Sequence, residues 1–216
     1  MNQIRTSPRP LTALTLCLLA VGLWQVWEGS WIYAKARLAQ LLLQRAWSRT
    51  LAGEAHVKPW PWADTWPVAR LIVPTHHIDL IVLNGAYGRT LAFGPGYAES
   101  SASPGSTGTT IITGHRDTHF RFLENLQPDE LLLLQTRTGK WHSFTIQDRR
   151  IVDARTASIS TGHDGAALVL VTCYPFDAIV PGGPLRFVVA ATETSPGSGI
   201  ATSAPELMSR HTRGGL

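Results

Sequence analysis

From Val68 to Thr192 the chain is a series of short apolar and β-branched runs separated by Gly, Pro, Asn and Asp, a pattern that restricts it to an all-β domain. The runs are ARLIVP (69–74), IDLIVL (78–83), GTTIITG (108–114), LLLLQT (131–136), SFTIQDRRIVDA (143–154), AALVLVTC (166–173) and LRFVVAAT (185–192). Seven or eight strands at this spacing predict a closed or nearly closed β-barrel. Tyr87 to Phe93 and Phe120 to Leu126 each predict a short turn of helix, too short for a βαβ crossover. No internal repeat is present. The tail from residue 194 to 216, rich in Ser, Gly and Thr, is expected to be disordered.

Ahead of the barrel the chemistry differs. Only 16% of the 216 residues are charged, against roughly 25% in soluble domains, so part of the chain is expected to lie outside water. Residues 11 to 27, LTALTLCLLAVGLWQVW, carry no charge and follow Arg5 and Arg9. They read as a signal peptide or a membrane span. A span is favoured, because no small-x-small cleavage site ends the run and Trp24, Trp27, Trp31 and Tyr33 resemble an interfacial aromatic belt. At 1.5 Å per residue the run covers about 25 Å, the short limit for a bilayer core, and Gly29 to Ala34 can extend it.

The expected organisation is a cytoplasmic N-terminus (1–10), a single transmembrane signal anchor (11–30), an amphipathic helix with a Pro/Trp linker (31–67) and the barrel (68–193). The barrel would then be extracytoplasmic, anchored in the plasma membrane. Between Trp31 and Thr50, Ile32, Leu38, Leu41, Leu42 and Trp47 stand among Lys, Arg and Gln at helical spacing. Either this helix lies on a membrane or domain surface, or it continues the span. The three prolines of KPWPWADTWP (58–67) break any helix.

The net charge of +4 is spread along the chain rather than gathered in one run, so nucleic acid is not an expected partner. The better use for Lys35, Arg37, Arg45 and Arg49 is at a membrane surface. Of the two cysteines, Cys17 falls in the apolar run and reads as a small hydrophobe. Cys173 is left as a lone thiol.

Two segments bear reactive side chains where a buried strand reaches the surface: TGHRDTHF (113–120) and LVLVTCYPF (168–176). A thiol is a strong nucleophile for acyl carbons. A histidine beside it raises the thiolate fraction and protonates the departing amine, which peptide cleavage requires. Cys173 is the candidate nucleophile and His115 the candidate acid/base. Attack on an amide also builds charge on the carbonyl oxygen, and a fixed donor there is usually the largest catalytic contribution. Arg186, at the start of the next strand, can return to the thiol if 174–184 joins antiparallel neighbours. Alone, it would read as a solvated strand arginine.

In this order, these segments resemble a sortase. The resemblance covers most of residues 68 to 192: ARLIVP, IDLIVLNG, GPGY (94–97), TGHRDTHF, LVTCYPF and LRFVVAA. It implies an eight-stranded β-barrel behind an N-terminal span. It also implies a cysteine transpeptidase in which Cys173 attacks the Thr carbonyl of a C-terminal LPxTG-like sorting motif, with His115 and Arg186 as the other catalytic residues. A thioacyl intermediate is then resolved by an amine acceptor. GHRDT, TCYPF and the short connection between Val152 and Ala167 are most similar to class D. The Trp-rich, Lys-poor composition resembles the dedicated sortases of some proteobacteria, which would place the domain in a periplasm. Trp141 and His142 stand where many relatives have Tyr.

Thr172 and Asp117 are secondary candidates at the substrate. Thr172 either supplies a donor to the oxyanion or packs its methyl group in the strand. Asp117 either orients His115 or pairs with Arg116. The His115/His119 spacing and adjacent His76 and His77 raise a metal site, but the former follows a strand and lacks a helical pattern, so no metal and no cofactor is expected. Other cysteine acyl transferases fit less well. The Ser-His-Gly-Cys run of L,D-transpeptidases is absent, and His115, His142 and His163 all precede Cys173, the reverse of papain-like order. The alternative from another class is a non-catalytic, membrane-tethered barrel that binds a surface protein.

Overall fold

The computed structural model describes residues 9–159, 164–180 and 182–194. The tail expected to be disordered lies, from residue 195 on, outside the described residues. The chain forms two units, residues 1–42 and 43–216. The first is helix α1 (Arg9–Leu51) up to Leu42. Its large apolar side chains Leu14, Leu18, Leu19, Leu23 and Trp27 are exposed. The helix is long and apolar enough to cross a membrane, and a helix that is apolar all round and uncovered by protein suits a bilayer core. The backbone stays helical from the uncharged run through the 31–50 segment without interruption.

The last turns of α1 belong to the second unit. There Leu43, Ala46, Trp47 and Thr50 are buried, at the i, i+3, i+4, i+7 spacing of one helix face. Gly53, at φ +98°, ends the helix. Its N–H donates to Thr50 O at 3.0 Å, and that of Glu54 to Arg49 O at 3.2 Å, so a left-handed glycine cap stops the helix before the prolines are reached. The linker then packs on the barrel. Trp60 meets Phe93 edge-on at 4.7 Å, and Thr65 Oγ1 donates to Asn84 O at 2.7 Å.

The barrel strands are β1 (Pro67–Val73), β2 (Ile78–Asn84), β3 (Gly96–Tyr97), β4 (Gly108–Thr113), β5 (Leu131–Thr136), β6 (Trp141–Asp153), β7 (Ala166–Cys173) and β8 (Leu185–Glu193). They close in the order β1-β2-β3-β4-β7-β8-β6-β5, so the expected eight-stranded barrel is the observed fold. Short helices lie at Gly88–Leu91 (α2) and, as 3-10 turns, at Pro74–His76 and Arg121–Asn125.

Strand β3, which the apolar pattern does not mark, bridges β2 and β4 with two residues. A side chain at Gly96 would place its Cβ 2.3 Å from Gly85 O, so only glycine permits this approach. The interior is aliphatic. Leu71, Leu132, Leu134, Ile146, Leu168 and Val189 are all fully buried, each contributing about 1.5–3 kcal/mol on leaving water. Strand β1 and the first half of β6 alternate, but β7 is buried at five successive positions from Ala166 to Leu170. It runs between β4, parallel to it, and β8, antiparallel. The reactive end of β7 is thereby held from both sides.

Candidate active site

Cys173 is the last residue of β7, and β4 ends at Thr113 opposite Val171. The parallel ladder continues beyond β4, with Gly114 N–H donating to Val171 O at 3.2 Å and Thr172 Oγ1 donating to Gly114 O at 2.7 Å. His115 and Cys173 therefore leave adjacent strands at the same level, and such strands lie about 4.8 Å apart. His115 is exposed and Cys173 is a free, partly exposed thiol. Phe120 seals this corner from below. Its ring would lie 2.7 Å from a Cβ at Gly114, and its N–H donates to His115 O at 3.0 Å, so the loop turns tightly behind the histidine.

On the other side of β7, Arg186 is the cross-strand partner of Cys173. Directly paired residues of an antiparallel ladder project to the same face, with Cβ atoms about 5 Å apart. Arg186 Nη1 donates to Gly183 O at 2.7 Å and to Leu185 O at 2.8 Å. No other side-chain hydrogen bond of Arg186 forms among the described residues, which leaves Nη2 and Nε for an incoming acceptor. Asp153, on the neighbouring end of β6, has its carboxyl pushed down to about 2, chiefly by the Arg155 hydrogen bonds and further by the charges of Arg155 and Arg186.

Below the thiol, Tyr174, Phe176 and Phe187 form an aromatic cluster, with Phe176 and Phe187 edge-on at 5.3 Å. The Tyr174–Pro175 bond is cis. Arg116, which the sequence marks only as a possible partner of Asp117, is buried with its side chain 7% exposed. Nη1 donates to Pro175 O and Nη2 to Ala178 O, both at 2.6 Å. Its Nε reaches Asp117 Oδ1 at 3.3 Å.

These contacts define the secondary candidates. The Thr172 hydroxyl is committed to Gly114 O, and Thr172 is buried. Asp117 is two-thirds exposed and paired with Arg116. His119 lies half-buried, with Nδ1 3.3 Å from Thr118 Oγ1. Its pKa is held below the ordinary histidine value, first by burial and then by the neighbouring His115. His76 turns away to Glu130, at 2.9 Å. Trp141 and His142 open β6 at the end opposite Val152, the cross-strand partner of Arg186. At 3.3 Å per residue that is roughly 30 Å along the strand from the end that bears the thiol, and His142 is buried against Glu193 Oε1 at 2.6 Å.

The site can thus present a thiol, an imidazole and a guanidinium at the mouth of one barrel end. Over 120 residues the chain is 32% identical to Sortase D of Bacillus subtilis (strain 168), a match covering 55% of this chain and 60% of that relative, so it spans less than two thirds of the relative's length. The fold is similar to Sortase A from Corynebacterium diphtheriae, with a TM-score of 0.57 and 22% identity over 67% of this chain and 66% of that one. It is also similar to Clostridium perfringens sortase C, solved with the C-terminal cell wall sorting motif, with a TM-score of 0.55 and 15% identity over 74% and 90% of the two chains. The sortase domain model matches residues 71–194, more than half of the chain and all of strands β2 to β8, and the chain belongs to the sortase family.

Proposed function

We propose that this sortase is a membrane-anchored, class D-like cysteine transpeptidase with its barrel on the extracytoplasmic side, in a periplasm if its host is a proteobacterium. The Cys173 thiolate attacks the Thr carbonyl carbon of an LPxTG-like motif near the C-terminus of a protein substrate. Arg186 donates to the oxygen as it gains charge. His115 gives its proton to the departing amine as the C–N bond breaks, leaving a thioester on Cys173. An amine acceptor then loses a proton to His115, attacks the thioester and releases the thiol, so the protein is transferred rather than hydrolysed. The observation that carries this reading is the placement of the three side chains on neighbouring elements. His115 and Cys173 continue parallel strands β4 and β7, and Arg186 pairs with Cys173 across β8. The similarly folded C. perfringens sortase C, solved with the C-terminal cell wall sorting motif, supports the substrate class.

The test uses the full-length chain in detergent, a panel of LPxTG-type peptides and an amine acceptor, with mass spectrometry of Cys173. The expected result is an acyl adduct on Cys173 that is absent in Cys173→Ala and accumulates or fails to form in His115→Ala. An unacylated Cys173 that also resists a small thiol-directed electrophile would overturn the proposal in favour of a non-catalytic binding barrel.

A further inference from the structure

His115 and Cys173 are each followed, as well as preceded, by a cross-link to the other's segment. On the strand side, Thr172 Oγ1 donates to Gly114 O at 2.7 Å. On the loop side, Arg116 donates to Pro175 O and Ala178 O, each at 2.6 Å. Residues 114 and 116 thus bracket the histidine, and residues 172 and 175 bracket the cysteine.

We infer that Arg116 is a positioning residue that fixes the His115 loop against the backbone following Cys173, an inference that rests on the catalytic roles proposed above. Three features of the side chain support it. It is nearly fully buried, where an unpaired charge is strongly unfavourable, so its donors must be filled. Its two terminal nitrogens take two carbonyls of one turn, which Ala178 N–H also closes onto Pro175 O at 3.4 Å. Only a planar fork can serve both acceptors at fixed spacing, and a lysine reaches one of them at a time. The remaining bond, from Nε to Asp117, is longer and faces solvent. The guanidinium therefore acts on the loop after the nucleophile more than on its acidic neighbour. Without the fork, β4 and β7 remain paired while the two loops move apart, and the imidazole loses its register with the thiol.

The experiment compares full-length Arg116→Gln, Arg116→Lys and a core control, Leu132→Ala, with the parent. In Arg116→Gln, amide hydrogen exchange across 174–180 rises at least tenfold while exchange in β4 and β7 is unchanged. Transfer of a sorting peptide loses roughly 10- to 100-fold in kcat, the scale of a small misplacement of reacting groups, with KM within about threefold. Arg116→Lys keeps one bond and recovers part of the loss in both readouts. Leu132→Ala lowers the unfolding temperature but retains kcat well below it. Unchanged exchange across 174–180, unchanged kcat in Arg116→Gln, or an equal kcat loss in Leu132→Ala would each overturn the inference. Failure of the parent on every peptide, with a Cys173 that also resists the electrophile, would overturn the transpeptidase reading instead, and exchange alone would then decide whether Arg116 holds the loop.

Discussion

Cys173 and Arg186 face each other as a cross-strand pair at the open end of the β7–β8 ladder. The pairing sets the two backbone positions through the hydrogen bonds of the β7–β8 ladder rather than through a loop. Arg186 is also tethered by its own Nη1 to Gly183 O and Leu185 O, so it is oriented before any substrate arrives. Arg186→Lys keeps the charge but loses the tether and the planar donors. If Arg186 stabilises the oxyanion, kcat for peptide transfer falls about 100- to 1000-fold in Arg186→Ala and only partly recovers in Arg186→Lys. KM changes much less in both, as steady-state kinetics on a fluorogenic sorting peptide will show.

Thr172 supplies a stability prediction that is independent of chemistry. Its hydroxyl is buried and donates to Gly114 O. Thr172→Val preserves shape but leaves the carbonyl without its donor, which costs about 1–3 kcal/mol. Thr172→Ser retains the bond and is expected to stay closer to the parent. Urea unfolding followed by tryptophan fluorescence distinguishes the three proteins. Equal midpoints for Val and Thr would mean that the hydrogen bond contributes nothing net.

The barrel was readable because seven of its strands are long enough to show apolar runs, as ARLIVP and LRFVVAAT do. Strand β3 was not, because Gly96 and Tyr97 stand beside Pro95 in a stretch that reads as a turn, and their pairing depends on strands distant in sequence. The proposed site residues His115, Cys173 and Arg186 stood out by their order and their positions at strand ends, and the ladders of β4, β7 and β8 bring those strand ends side by side. Arg116 was not. An arginine next to an aspartate reads as a surface pair, and its acceptors are backbone carbonyls 59 and 62 residues away, which carry no side-chain signature. The helix end was hidden for a related reason. Gly53 caps α1, but the prolines downstream are the more conspicuous signal.

Gly96→Ala tests whether the two-residue strand matters to closure. The added Cβ would meet Gly85 O at 2.3 Å and the Leu91 side chain at 3.0 Å, and the first contact is with backbone that cannot rotate away. Overpacking of this kind costs about 1–3 kcal/mol or forces the strand to separate. The expected outcome is a lower unfolding temperature with faster hydrogen exchange in β3 and the facing residues of β2. Wild-type stability in this variant would show that the β2–β3–β4 bridge yields freely.

His119 makes stability depend on pH near neutrality. Burial first, and His115 second, hold its folded pKa below the ordinary value of 6.5. Above pH 6.5 the residue is neutral in both folded and unfolded chains and imposes no penalty. As the pH falls below 6.5 the unfolded chain takes up the proton before the folded one does, so stability is lost down to the folded value. His119→Gln keeps a polar group beside Thr118 but cannot titrate. The fall in unfolding temperature between pH 7 and pH 5 is therefore expected to be smaller in His119→Gln than in the parent. Parallel profiles for the two proteins would show that His119 protonates as readily folded as unfolded, and that the acid sensitivity arises elsewhere.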